Sequence, residues 1–114
     1  MSHYDFNVIK GLADASVRRQ EILSNNLANI ETPNYVRQDL DFGQLLTNLQ
    51  NNKSPFDSNK SIVSKSQYRD YSNPVTLESE ISKLYDNHLR YLILTKSVGH
   101  HFEHMKKALE VRGQ

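Results

Sequence analysis

The 114-residue chain has no cysteine, no tryptophan and only four glycines. Without cysteine there can be no disulfide, no thiolate zinc site and no cysteine nucleophile. The glycines are scattered along the chain, which excludes the glycine-rich phosphate loops, and no Gly-x-Ser-x-Gly nucleophile motif is present. The residues therefore predict neither a catalytic site nor a bound cofactor.

The chain also lacks a charge excess and a long apolar run. Fourteen Lys and Arg against thirteen Asp and Glu give a net charge of +1, so we expect no nucleic-acid partner. No apolar run approaches the roughly 20 residues of a membrane span. The opening residues, MSHYDFNVIKGL, have neither a basic start nor a long apolar stretch, so we expect no cleavable export signal. The mean hydropathy of -0.68 predicts a thin core, or one completed against neighbouring subunits.

Hydrophobic periodicity divides the chain into three zones of one structural domain. Residues 1–31 are predicted to form a helix, because apolar residues recur at steps of three and four from Tyr4 to Ile30, before Pro33. Residues 32–76 are predicted to form a turn and a long polar, largely irregular loop. Residues 77–114 are predicted to form a heptad helix. The fold class that follows is mainly α, with two long terminal helices forming an antiparallel α-hairpin or coiled coil.

The middle zone contains two stretches with their own signals. The segment DLDFGQLL, 39–46, predicts a short ordered piece, and SIVSKSQYRDY, 61–71, predicts a weak strand or hairpin arm. Asp39 and Asp41 are paired carboxylates in sequence, but nothing around them predicts the burial that acid–base catalysis needs. We therefore expect both to be solvated.

The C-terminal zone has the strongest pattern, a heptad register sustained over four to five repeats. Its seam positions are Leu77, Ile81, Leu84, His88, Tyr91, Thr95, Val98, Phe102, Met105 and Leu109. The seam has two interpretations, an intramolecular two-helix core or packing between subunits. The second is favoured, because Tyr85, Leu89, Leu92 and Leu94 place further apolar surface on other sides of the helix. His88 is predicted to be a hydrogen-bonded polar core residue that sets the register, with a pH-sensitive residue as the alternative.

A histidine cluster, HHFEH, raises the alternative of a metal site. His100 and His104 lie one helical turn apart, the spacing of zinc-binding pairs. The zinc-protease pattern needs glutamate directly after the first histidine, and His101 stands there instead. A solvated polar face is therefore the favoured interpretation, and a small helical protein binding a metal through His100, His101 and His104 stays open. A generic coiled-coil adaptor is a further alternative.

The stretch ILSNNLANIETPNYVRQDLDF, 22–42, resembles the N-terminal signature of the bacterial flagellar rod and hook protein family. That signature has paired asparagines, an apolar residue, Ala-Asn, two spacers, Thr-Pro, a turn residue, Tyr and then a basic residue. Asn34 stands where the family usually has glycine. Asparagine tolerates the positive φ that this turn requires, so the change is mild.

The resemblance implies a structural subunit of the basal-body rod, most like the proximal rod, which assembles helically and transmits torque from motor to hook. It implies as partners other rod subunits, further copies of this chain and the adaptor that joins the rod to the membrane ring. It also implies export through the flagellar type III apparatus to the periplasm-spanning rod.

Physical chemistry suggests why the signature is rich in asparagine. An amide both donates and accepts, so a strip of asparagines can bind neighbouring helices without carrying charge. The predicted assembly residues at this end are Leu23, Asn25, Asn26, Leu27, Asn29, Ile30, Thr32, Pro33 and Tyr35. On the C-terminal helix they are Leu84, Tyr91, Val98, Phe102 and Met105.

Overall fold

The computed structural model describes residues 6–51 and 59–112. In chain order the elements are α1 (Phe6–Ala28), β1 (Arg37–Leu40), α2 (Phe42–Asn51), α3 (Asn59–Lys65), β2 (Gln67–Asp70) and α4 (Leu77–Arg112). The molecule measures 65 × 27 × 18 Å, and α1 and α4 pack antiparallel along its length. The prediction of a mainly α fold with paired terminal helices is confirmed.

The middle zone contains more regular structure than its composition predicted. β1 and β2 form a two-stranded antiparallel sheet in which Arg37 pairs with Asp70 and Leu40 with Gln67. The ordered piece predicted at 39–46 becomes the end of β1 and the start of α2, and the predicted hairpin arm becomes α3 and β2. The loop was expected to be irregular because it is poor in apolar residues, yet Ile62 and Val63 of α3 are buried. The part of that prediction that falls on residues 52–58 lies outside the described residues.

α1 is the central element because it buries two faces. One face packs against α2, α3 and β1, and its core cluster consists of Val8, Ala15, Ile22, Leu40, Leu45, Leu49, Ile62 and Val63. The second face has Ile9, Ala13 and Leu23 buried at heptad positions on the side of α4. A single helix with two apolar faces thus joins the small sheet layer to the long C-terminal helix.

α4 is longer than α1, with 36 residues against 23. Thr76 caps its start, as its hydroxyl accepts a hydrogen bond from Ser79 N at 3.2 Å. Phe6, at the start of the described part of α1, stacks on His101 with ring centroids 5.2 Å apart. Residues 102–112, which we call the C-terminal overhang, therefore extend beyond this stacked pair.

Candidate functional site

The signature residues form a compact turn at the end of α1. α1 ends at Ala28, and Tyr35 N donates to the carbonyl of Thr32 at 3.3 Å. Within this turn Pro33 takes the second position, and Asn34 takes the third with a φ of 62°. These are the preferences of a type II β-turn, which needs a positive φ at its third residue. The predicted helix stop and the predicted positive φ are both confirmed.

Asn26 is the central side chain of this turn, and it is fully buried at 0% exposure. Its Nδ2 donates to the carbonyl of Gln38 at 2.8 Å and to Glu80 Oε2 at 3.2 Å. Its Oδ1 accepts from Gln38 N at 3.0 Å and from Tyr35 Oη at 2.9 Å. An asparagine amide offers two donors and two acceptor lone pairs, so all four are used. The amide thus bonds both the N–H and the carbonyl of Gln38, as the backbone of a neighbouring strand would.

The other two asparagines support the shape of the turn. Asn25 donates to Tyr35 Oη at 3.1 Å. Asn29 donates to the Asn25 carbonyl at 2.8 Å and accepts from the Thr32 hydroxyl at 3.1 Å. Asn25 and Thr32 are exposed and Asn29 is half-buried. All three amides thus bond within the chain, and the predicted exposed strip can include Asn25 and part of Asn29 but not the buried Asn26.

A buried ion cluster lies beside Asn26, and Arg37 is at its centre with 1% exposure. The Arg37 guanidinium donates from Nε to Glu80 Oε1 at 2.7 Å and from Nη1 to Asp70 Oδ2 at 2.7 Å. Its Nη2 donates to Asp39 Oδ2 at 3.3 Å. One planar cation thus binds carboxylates from β1, β2 and α4, which matches the fixed fork of donors that arginine presents.

A second arginine completes the cluster from α1. Arg19 donates to both oxygens of Asp39, from Nε at 2.7 Å and from Nη2 at 3.0 Å. Asp39 was expected to be solvated, and that prediction was wrong. Its carboxylate is buried because two guanidiniums bind it. Asp41, by contrast, is exposed and accepts a hydrogen bond from Gln44 N at 3.1 Å as the cap of α2.

In three groups of the cluster the pKa shift favours the charged form. Burial alone lowers the pKa of Arg37, but the hydrogen bonds with Glu80 and Asp70 raise it above its ordinary value. Burial raises the pKa of Asp39, yet the hydrogen bond from Arg19 holds it below its usual range. The Asp70 pKa is lowered first by the hydrogen bond from Asn73 and further by Arg37. Two arginines thus face three carboxylates, and the neutral amides of Asn73 and Asn26 donate further hydrogen bonds to Asp70 and Glu80.

Sequence reasoning missed Arg19, Asp70 and Glu80 as members of this cluster, and it noted Arg37 only as the basic residue of the signature. One local signal was present. Residues two apart on a strand share a face, so Arg37 and Asp39 had to lie side by side. Their partners come from other elements, and no spacing along the chain reveals them.

The predicted assembly residues near the turn range from buried to exposed. Leu23 is fully buried, Leu27 and Tyr35 are half-buried, and Ile30 and Pro33 are exposed.

On α4, the face toward α1 is rotated from the predicted seam. Glu80, Asn87 and His101 contact α1 directly, through Asn26, the Ser16 carbonyl and Phe6. Between these contacts lie four half-buried apolar or aromatic residues, Leu84, Tyr91, Leu94 and Val98. Three of the predicted positions, Leu84, Tyr91 and Val98, therefore face α1.

Of the remaining seam positions, Thr95 is half-buried and the others turn outward. Leu77, Ile81 and His88 are exposed, and so are Phe102 and Met105 in the C-terminal overhang. The prediction that His88 is a buried polar core residue was wrong. The neighbouring Asn87 takes that role by donating to the Ser16 carbonyl at 2.8 Å.

The histidine cluster does not converge on one point. His101 stacks on Phe6, while His100 and His104 are exposed. In residues 6–51 and 59–112, no group of three or more metal-ligating side chains could hold an ion. Nothing in this arrangement supports the metal-binding alternative.

Within the same part of the chain, no helix is both long and apolar enough to cross a membrane.

The fold and the site define a structural protein, in which polar residues join secondary-structure elements and apolar helix surface is left uncovered. The family model described as flagella basal body rod protein matches residues 9–35. The flagellar basal body rod protein FlgB of Bacillus subtilis (strain 168) is 30% identical over 117 aligned positions, which cover 90% of each chain. The chain belongs to the flagellar basal body rod protein family, and its role is structural.

The first prediction concerns which asparagine is structurally critical. Asn26→Asp keeps the side-chain shape but removes both Nδ2 donors and places a carboxylate beside Glu80. We expect the free energy of unfolding in urea to fall by about 3 kcal/mol. The control Asn25→Asp alters an exposed side chain and should change it by less than about 0.5 kcal/mol. Equal losses in both variants would contradict the central role of Asn26.

The second prediction concerns Arg37. Arg37→Ala leaves Glu80, Asp70 and Asp39 buried without their shared cation, so the free energy of unfolding should fall by about 3–5 kcal/mol. Arg69→Ala is the matched control on the same sheet, since Arg69 is exposed and should contribute within about 0.5 kcal/mol. A loss for Arg37→Ala as small as that of the control would mean that the cluster does not hold the fold.

The third prediction follows from the lowered pKa values of Asp39 and Asp70. A carboxylate whose pKa is lowered by folding contributes stability above its unfolded pKa, and that contribution is lost as the pH falls toward the folded pKa. Urea unfolding should therefore show stability that declines below about pH 4, the unfolded value for aspartate. The decline should be shallower in Asp70→Asn than in the exposed control Asp14→Asn. Parallel declines would rule Asp70 out as a source of the acid sensitivity.

Proposed function

We propose that this chain is a subunit of the proximal part of the rod, where it packs helically with its neighbours and transmits torque from motor to hook. The observation that carries the proposal is the uncovered apolar surface of α4. Leu77, Ile81 and Tyr85 are exposed near its start, and Phe102, Met105 and Leu109 are exposed near its end. Monomeric proteins rarely leave large apolar patches in water, whereas an assembly would bury them.

The buried cluster supports a mechanical role. Torque passes through a subunit only if its parts keep their relative positions, and Arg37 and Asn26 bind the sheet and both long helices through short hydrogen bonds. Buried charge pairs fix geometry because breaking one leaves an unpaired charge in the interior. No step in this role requires a catalytic residue.

The partners proposed for this subunit are other rod subunits, further copies of the chain and the adaptor between rod and membrane ring. Among the signature residues, the exposed Asn25, Ile30 and Pro33 are available to such neighbours. Delivery through the flagellar type III apparatus to the periplasm-spanning rod is part of the same proposal.

The direct test is mass spectrometry of purified hook–basal bodies from the source bacterium. The proposal expects this chain in the rod fraction at a level comparable with other rod subunits. Its absence from intact basal bodies would overturn the proposal.

A fourth prediction tests whether the overhang matters for motility. Phe102→Asp places a charge on the C-terminal overhang, at a position exposed enough to leave the fold intact. In a strain whose native copy is replaced, we expect loss of swimming with normal cellular levels of the variant. Ile93→Asp is the matched control, because Ile93 is also apolar and exposed but lies on another face of α4. Normal swimming of the Phe102→Asp strain would instead favour a coiled-coil adaptor that does not act in the rod.

A further inference from the structure

The side of α4 that is directed away from α1 carries exposed apolar residues in its first half. Glu80 and Asn87 contact α1, which fixes the opposite side of the helix as its outer side. The exposed apolar residues on this outer side and its flanks are Ile81, Tyr85, Leu89, Leu92 and Ile93. We call these five residues the outer band. Tyr85, Leu89 and Ile93 are each at least 60% exposed, so α1 covers little of the band.

The parts of the chain outside the described ranges are attached too far away to cover the centre of the outer band. Phe6 stacks on His101, and Tyr85 lies sixteen residues before His101, or about 24 Å along α4. The five residues before Phe6 span at most about 18 Å when fully extended. Residues 52–58 join α2 to α3, which pack against the other face of α1. Residues 113–114 follow the far end of α4. A second molecule can therefore reach the band.

Two opposite charges flank the outer band on one line along the helix. Glu78 precedes the band and Lys96 follows it, and both are exposed. They are eighteen residues apart, which is five full turns, so they share one face. Within residues 6–51 and 59–112, neither forms an ion pair. Asp86 lies at the edge of this face, where Arg19 and Arg90 of the same chain each approach it to 3.8 Å.

This arrangement of charges is complementary to itself in an antiparallel pair of α4 helices. A two-fold axis at the level of Asn87 brings Glu78 of each copy opposite Lys96 of the other. The same axis pairs apolar residues of the outer band across the contact, Tyr85 with Leu89 and Ile81 with Leu92. A parallel pair would instead bring glutamate to glutamate and lysine to lysine. Flanking charges of this kind decide the orientation in which two helices pair.

We propose that two copies of the unassembled chain pair antiparallel through their outer bands, with ion pairs between Glu78 and Lys96 at both ends. Pairing removes apolar surface from water, and the two-fold axis closes the contact at two copies. The inference rests on the proposed rod function, because Ile81 and Tyr85 belong to the surface that the rod would bury. It adds that a second copy covers this surface until the subunit enters the rod.

The first test is the mass of the purified full chain in solution, measured by light scattering over a series of concentrations. One chain has a mass of 13.2 kDa, and the measured mass should rise toward twice that value. Glu78→Lys and Lys96→Glu should each raise the Kd of the pair about tenfold, because both ion pairs become repulsive. The chain that carries both substitutions should regain the original Kd, since the charges are then only exchanged.

A second variant tests the apolar part of the contact. Tyr85→Asp places a charge at the centre of the outer band and should leave the chain monomeric with an unchanged helical circular dichroism spectrum. Val111→Asp is the matched control, because Val111 is 74% exposed on the same helix but lies outside the band. Equal loss of pairing in both variants would contradict the proposed contact.

The absence of cysteine allows the orientation of the pair to be measured. Tagged Ile81→Cys and Leu92→Cys chains are mixed and oxidised, and mass spectrometry should detect a disulfide that joins position 81 to position 92. In the antiparallel pair, the two copies of position 81 are about 18 Å apart along the helix, too far for a disulfide. A link from position 81 to itself would therefore overturn the proposal in favour of a parallel pair.

The remaining outcomes separate this inference from the proposed function. A mass that stays at 13.2 kDa at every concentration would overturn the inference and leave the proposed function untouched. Failure of the double charge exchange to restore pairing would do the same. A pair in solution, together with absence of the chain from purified hook–basal bodies, would overturn the proposed function instead.

Discussion

The guanidinium of Arg37 is the group on which the arrangement of this molecule depends. Carboxylates from β1, β2 and α4 bind it within 3.3 Å. One of them, Asp39, also forms an ion pair with Arg19 of α1. A cluster of this kind contributes little net stability compared with apolar packing, because desolvation of the ions offsets their attraction. Its value is geometric, since every alternative placement of the sheet leaves a charge buried and unpaired.

Asn26 extends the same constraint without adding charge. Its amide binds the backbone of Gln38 on one side and Glu80 on the other, so the signature asparagine joins α1 to β1 and to the ion cluster. Aspartate could not donate at this position and would repel Glu80. This explains why a residue that is a mediocre helix former stands in the last turn of α1: its side chain is needed for tertiary contacts.

The sequence predicted local features well and tertiary ones poorly. Apolar periodicity located both long helices, and the proline and asparagine at 33 and 34 located the turn, because these signals act within a few residues. The ion cluster was missed because Arg37 and Glu80 are 43 positions apart. The register of α4 was displaced for a related reason. Glu80 and Asn87 are polar, so the heptad pattern assigned the buried face to the seam through Ile81 and His88, which follow them directly in the sequence.

The rotation of the buried face of α4 away from the predicted seam bears on the function of the chain. α4 buries polar residues toward α1 and leaves Leu77, Ile81, Phe102 and Met105 exposed, the reverse of what an isolated two-helix protein requires. Buried polar contacts specify one packing of the hairpin, and the apolar surface left over is free to pack with neighbours. A subunit built in this way keeps its shape through directional bonds and gains its assembly energy from the hydrophobic effect.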